Sequence, residues 1–208
     1  MPPLQYPDPP LAGGGIVLRP WADADLRPAW EATQDPAILA FTHVPDGQTL
    51  AELRVFVHGL DQAAARGEEL GFVIAEAGAG GGGAGGSASD AGSGSPNGGR
   101  GSASGKLLGS ASLLRIDWDD ARAEVGYWVA PQARGRGAAP AAARLIADWA
   151  LAALPLERIE LRIDADNTAS LSVARAAGFT EEGTLRSYES RKGKRPDVVV
   201  WSRLASDR

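Results

Sequence analysis

Residues 124–149, EVGYWVAPQARGRGAAPAAARLIADW, constrain this chain more than any other stretch. An aromatic and β-branched run ends at Pro131, a glycine and arginine turn follows, and an alanine-rich helix then begins with no acidic residue in its first turn. Gly135 and Gly137 leave the backbone bare where that helix starts, so several unpaired N–H groups can face one ligand. Arg134 and Arg136 add positive charge at a helix end that already disfavours it, which asks for a compensating anion. A glycine turn with solvated arginines satisfies the same residues, and taken alone the motif does not separate the two. Pro140 falls in the first turn, where a missing N–H breaks few or no internal bonds. GxxxxGK[ST] is absent and GxGxxG fails after Gly137, which excludes a Walker loop and a dinucleotide fingerprint.

The rest of the chain reads around that segment. IVLRPW from Ile16 is a first strand, and DADLRPAWEATQ and TLAELRVFVHGLDQAAARG are helices, the second opening on Thr49 with Glu52 three residues on as a capping box. LGFVIAEA and KLLGSASLLRIDW read as strands on either side of residues 78–105, which hold 13 glycines and no bulky apolar side chain. Ordering that segment would cost backbone entropy with nothing buried in return, so a disordered insertion in one long hairpin loop is expected. Closure grows only logarithmically with length, and a hairpin tolerates it. Its lone GGRG, without aromatic neighbours, reads as linker.

ARAEVGYWVA is the next strand, and the helix after it places Ala142, Leu145, Ile146, Trp149 and Ala153 on one stripe. RIELRID alternates, with Ile159, Leu161 and Ile163 on one face. A short helix from about Asn167 to Ala177 closes on Gly178 as a left-handed cap, and the strands FTEEGTLRSYES and DVVVWSRL finish the chain. The order β, α, α, β, β, β, α, β, α, β, β predicts an α/β (α+β) fold, a mixed sheet with helices on both faces. Residues 16–208 are expected to form a single domain behind a loose tail at 1–15, which has neither the basic start nor the apolar core of a signal peptide. A soluble, cytoplasmic protein is the expectation.

The chain has no cysteine, and His43 and His58 share no metal-ligand spacing, so a metal enzyme is not expected. A net charge of −5 argues against nonspecific nucleic-acid binding, and the longest apolar-looking run, broken by Arg144 and Asp148, is too short and polar to cross a membrane.

Gln132, Gly135 and Gly137 match the QxxGxG motif of the GNAT N-acetyltransferase superfamily, set between a YWV strand and a long helix. Asn167, Ser170, Val173, Gly178 and Phe179 fit a second element, NxxSxxV followed by GF. With IVLRPW near the start and EEGTLR near the end, residues 16–204 apart from the insertion resemble the RimJ/RimL-like branch, the ribosomal-protein N-terminal acetyltransferases. The resemblance implies a mostly antiparallel central sheet with a splayed strand pair holding the cofactor, acetyl-CoA. Its pyrophosphate would lie on the backbone from Arg134 through Gly135, Arg136 and Gly137 to Ala138, and pantetheine would run along Val129. Asn167 would bond pantetheine or a water, or simply cap its helix.

Acetyl transfer to an amine needs a neutral nucleophile, a stabilised oxyanion and a protonated leaving thiolate. Glu124 is the first candidate for the base, with Glu189 behind it. Ser170 and Tyr188 stand level as the acid, Tyr188 because a late strand often supplies that group in the family. A backbone N–H near Val129 is the expected oxyanion donor. The acceptor is expected to be a protein N-terminus, such as that of a ribosomal protein. Alternatives are a small amine (an antibiotic or polyamine), a longer acyl-CoA, or a non-catalytic acyl-CoA-binding domain. The oligomeric state is left open.

Overall fold

The computed structural model describes residues 1–78 and 105–207. Most of the expected insertion at 78–105 lies outside the described residues. The remainder builds an eight-stranded sheet from β1 (Leu11–Gly13), β2 (Ile16–Arg19), β3 (Leu70–Glu76), β4 (Leu107–Asp117), β5 (Arg122–Val129), β6 (Arg158–Asp164), β7 (Thr180–Leu185) and β8 (Val198–Leu204), in the order β1-β2-β3-β4-β5-β6-β8-β7. Every neighbouring pair is antiparallel except β5 and β6. These two are parallel and pair only at Arg122 with Arg158, Ala123 with Ile159 and Glu124 with Glu160. Beyond Glu124 they part, while each continues along its other edge: β5 with β4 as far as Val129, and β6 with β8 as far as Asp164.

Helices cover both faces. On one lies α4 (Ala138–Ala153), packed on Leu70, Phe72 and Ile74 of β3 and on Val125 of β5. On the other, α1 (Asp23–Thr33) and α3 (Leu50–Ala65) bury Leu26, Leu53, Val57 and Leu60 against Val73 and Ala75. The two-residue alternation of β3 supplies both cores. In α4, Ala142 and Ile146 are fully buried, whereas Leu145 and Trp149 are half-buried and Ala153 is exposed. The buried stripe is rotated toward Ala143, Ala147 and Ala150, whose small side chains let the helix sit close on the sheet.

Local signals explain most boundaries. Thr49 and Glu52 form the expected box, Thr49 N donating to Glu52 Oε2 at 2.8 Å and Glu52 N to Thr49 Oγ1 at 3.2 Å. Gly178 is left-handed at φ 80°. Arg19 and Asp25, both buried, pair through two bonds of 2.7 and 2.8 Å and fix the entry of α1 against β2.

Two sequence expectations are corrected, and one element lies where none was expected. Residues 1–15 are not a loose tail: Leu4 is buried, its N–H donates to Ala64 O at 2.8 Å, Tyr6 packs edge-on to Phe72, and Leu11–Gly13 pairs with β2. The apolar residues doing this are spaced irregularly among prolines, so no periodicity betrays them. A short helix, α2 (Pro36–Phe41), was not foreseen; Asp35 caps it by accepting from Ala37 N and Ile38 N, both at 3.1 Å, with Pro36 at its first position. The strand expected to run through Tyr188 ends at Leu185, leaving Tyr188 and Glu189 in the connection to β8.

The ends flanking the insertion meet, since Glu76 N donates to Lys106 O at 2.9 Å. Deleting residues 80–103 is therefore expected to leave the circular dichroism spectrum and thermal midpoint nearly unchanged. Loss of soluble protein would show that the segment contributes to the fold.

Candidate active site

The glycine turn leads into α4 without a side-chain cap. After a single 3₁₀ turn at Pro131–Ala133, Gly135 and Gly137 adopt φ of 72° and 78°, and a Cβ added at either would meet nothing within 4 Å. The first α4 residue bonded back to the turn is Ala141, whose N–H donates to Gly137 O at 3.2 Å, and Pro140 has no N–H. The amides of Ala138 and Ala139 thus point out of the helix end toward open space. Arg134 donates to Asp35 at 2.5 Å and Arg136 to Glu76 at 2.6 Å. The Arg134 guanidinium holds the Asp35 carboxyl below its usual range. Both arginines are half-exposed, so these pairs hold them at the rim of the turn rather than bury them.

Two cavities flank the splayed strands. One, of about 470 Å³, lies over the turn between α2, the end of β5 and α5 (Thr168–Ala176). Val129, Arg134, Gly135, Gly137 and Ala138 line it. The other, about 860 Å³, opens on the α1 and α3 side and takes in Phe56, Glu69, Arg115, Glu124, Arg162 and Glu189. Phe41, Thr42, Tyr127, Trp128, Asn167 and Ser170 belong to both, so the cavities join through the gap that β5 and β6 leave.

Charge is concentrated in the larger cavity. A bulge between Leu114 and Asp117, with Arg115 at φ 50°, turns the Arg115 guanidinium toward Glu124 at 3.2 Å. Arg115 is held more tightly by Glu189, at 2.6 Å. Arg162 is likewise shared among Glu160 at 3.1 Å, Glu189 at 3.4 Å and Glu124 at 3.6 Å. Glu124 therefore receives only a fraction of each cation. Its side chain is 13% exposed, and burial pushes its carboxyl up to about 7 against the pull of Arg115 and Arg162. Burial also raises Glu189, but Arg115 and Arg162 outweigh it and keep that carboxyl below its usual value. Two neighbouring carboxyls with opposed shifts divide the work: near neutral pH Glu124 can gain or lose a proton and Glu189 stays an anion. Burial, then the charges of Arg115 and Arg191, hold His43 below its usual value in the same cavity.

The residues singled out in the sequence separate accordingly. Asn167 accepts from Ser170 N at 3.1 Å, the helix-cap contact, while also facing the junction with Ser170. Gln132 and Arg136 are exposed and line neither cavity. Tyr188 also lines neither; it is 42% exposed, with the Arg162 guanidinium 5.6 Å from its ring centre. Sequence reasoning missed Asp35, Tyr127, Arg115 and Arg162. The Asp-Pro step at 35 is a readable cap signal, but nothing local marks Arg115, whose position depends on a bulge.

A family model for the acetyltransferase (GNAT) domain matches residues 16–180. The chain belongs to the GNAT acetyltransferase family. It is 34% identical over 99 residues to the uncharacterized N-acetyltransferase p20 of Bacillus licheniformis, covering 48% of this chain and 56% of that protein. It is 32% identical over 81 residues to the spermidine N(1)-acetyltransferase of Escherichia coli K12, covering 39% and 44%. The chain thus spans about half the length of the curated relatives it matches. Among solved structures, RimL, a ribosomal L7/L12 alpha-N-protein acetyltransferase in complex with coenzyme A, superposes with a TM-score of 0.72 at 19% identity over 94% of this chain and 96% of that one. That likeness is one of fold. Among the described residues no group of His, Cys, Asp and Glu is arranged to hold a metal ion, and no helix is long and apolar enough to cross a membrane.

The raised Glu124 carboxyl has a consequence for stability in this GNAT domain. Between its ordinary value of 4.5 and about 7 the folded protein holds a proton that the unfolded chain releases, so this group's contribution falls as pH rises through that window. Glu124→Gln removes the dependence. The variant is expected to melt close to wild type at pH 5 and above it at pH 8 by differential scanning calorimetry; a lower midpoint at pH 8 would show that the ionised carboxylate is a net stabiliser.

Proposed function

We propose that this chain transfers the acetyl group of acetyl-CoA to a primary amine, foremost the N-terminal amino group of a protein, by direct transfer with both substrates bound together. The observation that carries this reading is the junction of two cavities across the β5–β6 gap, one ending on an anion-accepting helix N-terminus and the other holding a buried carboxyl that titrates near neutrality. The smaller cavity fits the donor: bare glycines and outward amides suit a pyrophosphate, and the edge of β5 that β6 does not reach is free to bond an extended pantetheine arm.

In this reading Glu124 accepts the proton of the attacking amine. An α-amino group has a reference pKa of about 8, close to that of the carboxyl, which favours proton transfer at working pH. In this reading Ser170, which lines the junction, returns a proton to sulfur in preference to Tyr188, which lines neither cavity. The RimL likeness and the resemblance of the motifs to the RimJ/RimL-like branch support a protein N-terminus as acceptor. A second reading, a small polycation, draws on Asp46, Glu52 and Glu69 in the larger cavity and on the spermidine acetyltransferase relative.

Free-thiol release from acetyl-CoA with peptide N-termini, spermidine and aminoglycosides side by side tests both. A peptide α-amine is expected to give the highest kcat/KM. Preference for spermidine would move the acceptor to polyamines, and no release with any amine would leave an acyl-CoA-binding domain without turnover. Glu124→Gln is expected to lower kcat by about 10²-fold and to abolish the rising limb of the pH–rate profile near pH 7.

Donor binding is tested separately. Acetyl-CoA is expected to raise the melting temperature, and a pantetheine fragment without the pyrophosphate to do so far less. Gly135→Val and Gly137→Val, each placing a β-branched residue at positive φ, are expected to abolish the shift. A full shift in both variants would place the donor elsewhere.

A further inference from the structure

Five buried side-chain polar atoms have no hydrogen-bond partner among the described residues: Trp21 Nε1, Gln48 Oε1, the Tyr127 hydroxyl, Trp201 Nε1 and Arg203 Nη1. Trp201 and Arg203 line neither cavity, and Trp21 and Gln48 line only the larger. Tyr127 alone lines both. Along β5 it follows Ala123 and Val125 on the α4 face, at the second position of that face beyond the last β5–β6 pair. Glu124 and Trp128 occupy the opposite face, toward the larger cavity. The phenol therefore reaches the junction from the donor side, across from the carboxyl that serves the amine.

A buried hydroxyl without a partner is costly to keep, and a ligand that supplies the missing acceptor removes the cost. We propose that Tyr127 is a catalytic residue whose hydroxyl donates to the acetyl carbonyl oxygen and stabilises the negative charge gathering there. The inference rests on the acetyl-transfer reading above and adds to it a side-chain donor where only a backbone N–H was expected.

The step balances without a further reactant. As the amine nitrogen bonds to the carbonyl carbon, the C=O π pair moves to oxygen and the Tyr127 hydrogen bond strengthens. When that pair returns, the C–S bond breaks and its electrons leave on sulfur. The proton lost by nitrogen goes to Glu124, and the departing sulfur takes one that solvent delivers through the Ser170 hydroxyl, which gains a proton as it gives one up. Tyr127 keeps its own proton throughout. Burial pushes the phenol up to about 12, with Ser170 acting in the opposite direction although the two hydroxyls do not meet in hydrogen-bonding geometry. Proton transfer from such a phenol to a thiolate of pKa about 8.5 runs uphill, whereas hydrogen bonding to a developing alkoxide needs no transfer. The same property makes it a fixed donor at every working pH.

Tyr127→Phe tests the assignment because it removes only the oxygen. The expected result is a fall in kcat of about 10²-fold, with the acetyl-CoA dissociation constant from calorimetry rising by no more than about tenfold and the pH limb assigned to Glu124 unchanged. The melting temperature of the free variant should equal or exceed that of wild type, since no hydrogen bond is lost. A merely structural hydroxyl would give the reverse, a lower midpoint with near-normal turnover. Normal kcat in Tyr127→Phe beside an active wild type overturns the role of Tyr127 and leaves acetyl transfer standing; absence of turnover by the wild type with every amine overturns both.

Discussion

The parting of β5 and β6 is the constraint from which the rest of the site follows. β5 and β6 are held together at three residue pairs only, while each continues on its far edge with an antiparallel partner. The backbone groups facing the gap then lack the ladder partners that a sheet interior requires. A continuous sheet would seal the two helical layers from each other. Here the gap joins a cavity on the α4 side to one on the α1 and α3 side, and the end of β5 delivers the chain directly to the glycine turn.

Electrostatics sharpens that geometry. The face of β6 turned away from the core carries Arg158, Glu160, Arg162 and Asp164, with Glu160 and Asp164 buried. Arg158 is paired with Glu160 and Glu182, Asp164 with Arg191, and Arg162 with three carboxylates at once. Such a network has little tolerance for an extra uncompensated charge. Glu124 is the member left with the weakest hold on its cations, and its carboxyl moves to the middle of the working pH range as a result. Glu189, four residues beyond the end of β7, is drawn into the network through Arg115 and serves as a fixed charge.

Much of this was legible in order. The Pro-Gln-Ala-Arg-Gly-Arg-Gly run announced a glycine turn into an uncapped helix start, one of whose two readings is an anion site. The period of two in β6 and the Thr49–Glu52 box named their elements correctly because those signals are local. Proline spacing hid the packed N-terminus, and the Asp35–Pro36 start of α2 was too short to carry periodicity.

By itself the sequence determined the mixed α/β order, the uncapped glycine turn that opens α4, and Asn167 at the start of α5 with a helix cap as one of its two readings. Those features depend on neighbours within a few residues along the chain. Tertiary structure alone decided which charges share Arg115 and Arg162, that Ser170 faces the junction while Tyr188 stays at the surface, and that the Tyr127 hydroxyl is left without a partner. The reason is physical: proton affinity and hydrogen-bond satisfaction depend on groups brought within a few ångströms from distant parts of the chain, and a bulge or a strand that ends early redirects them without leaving a local trace.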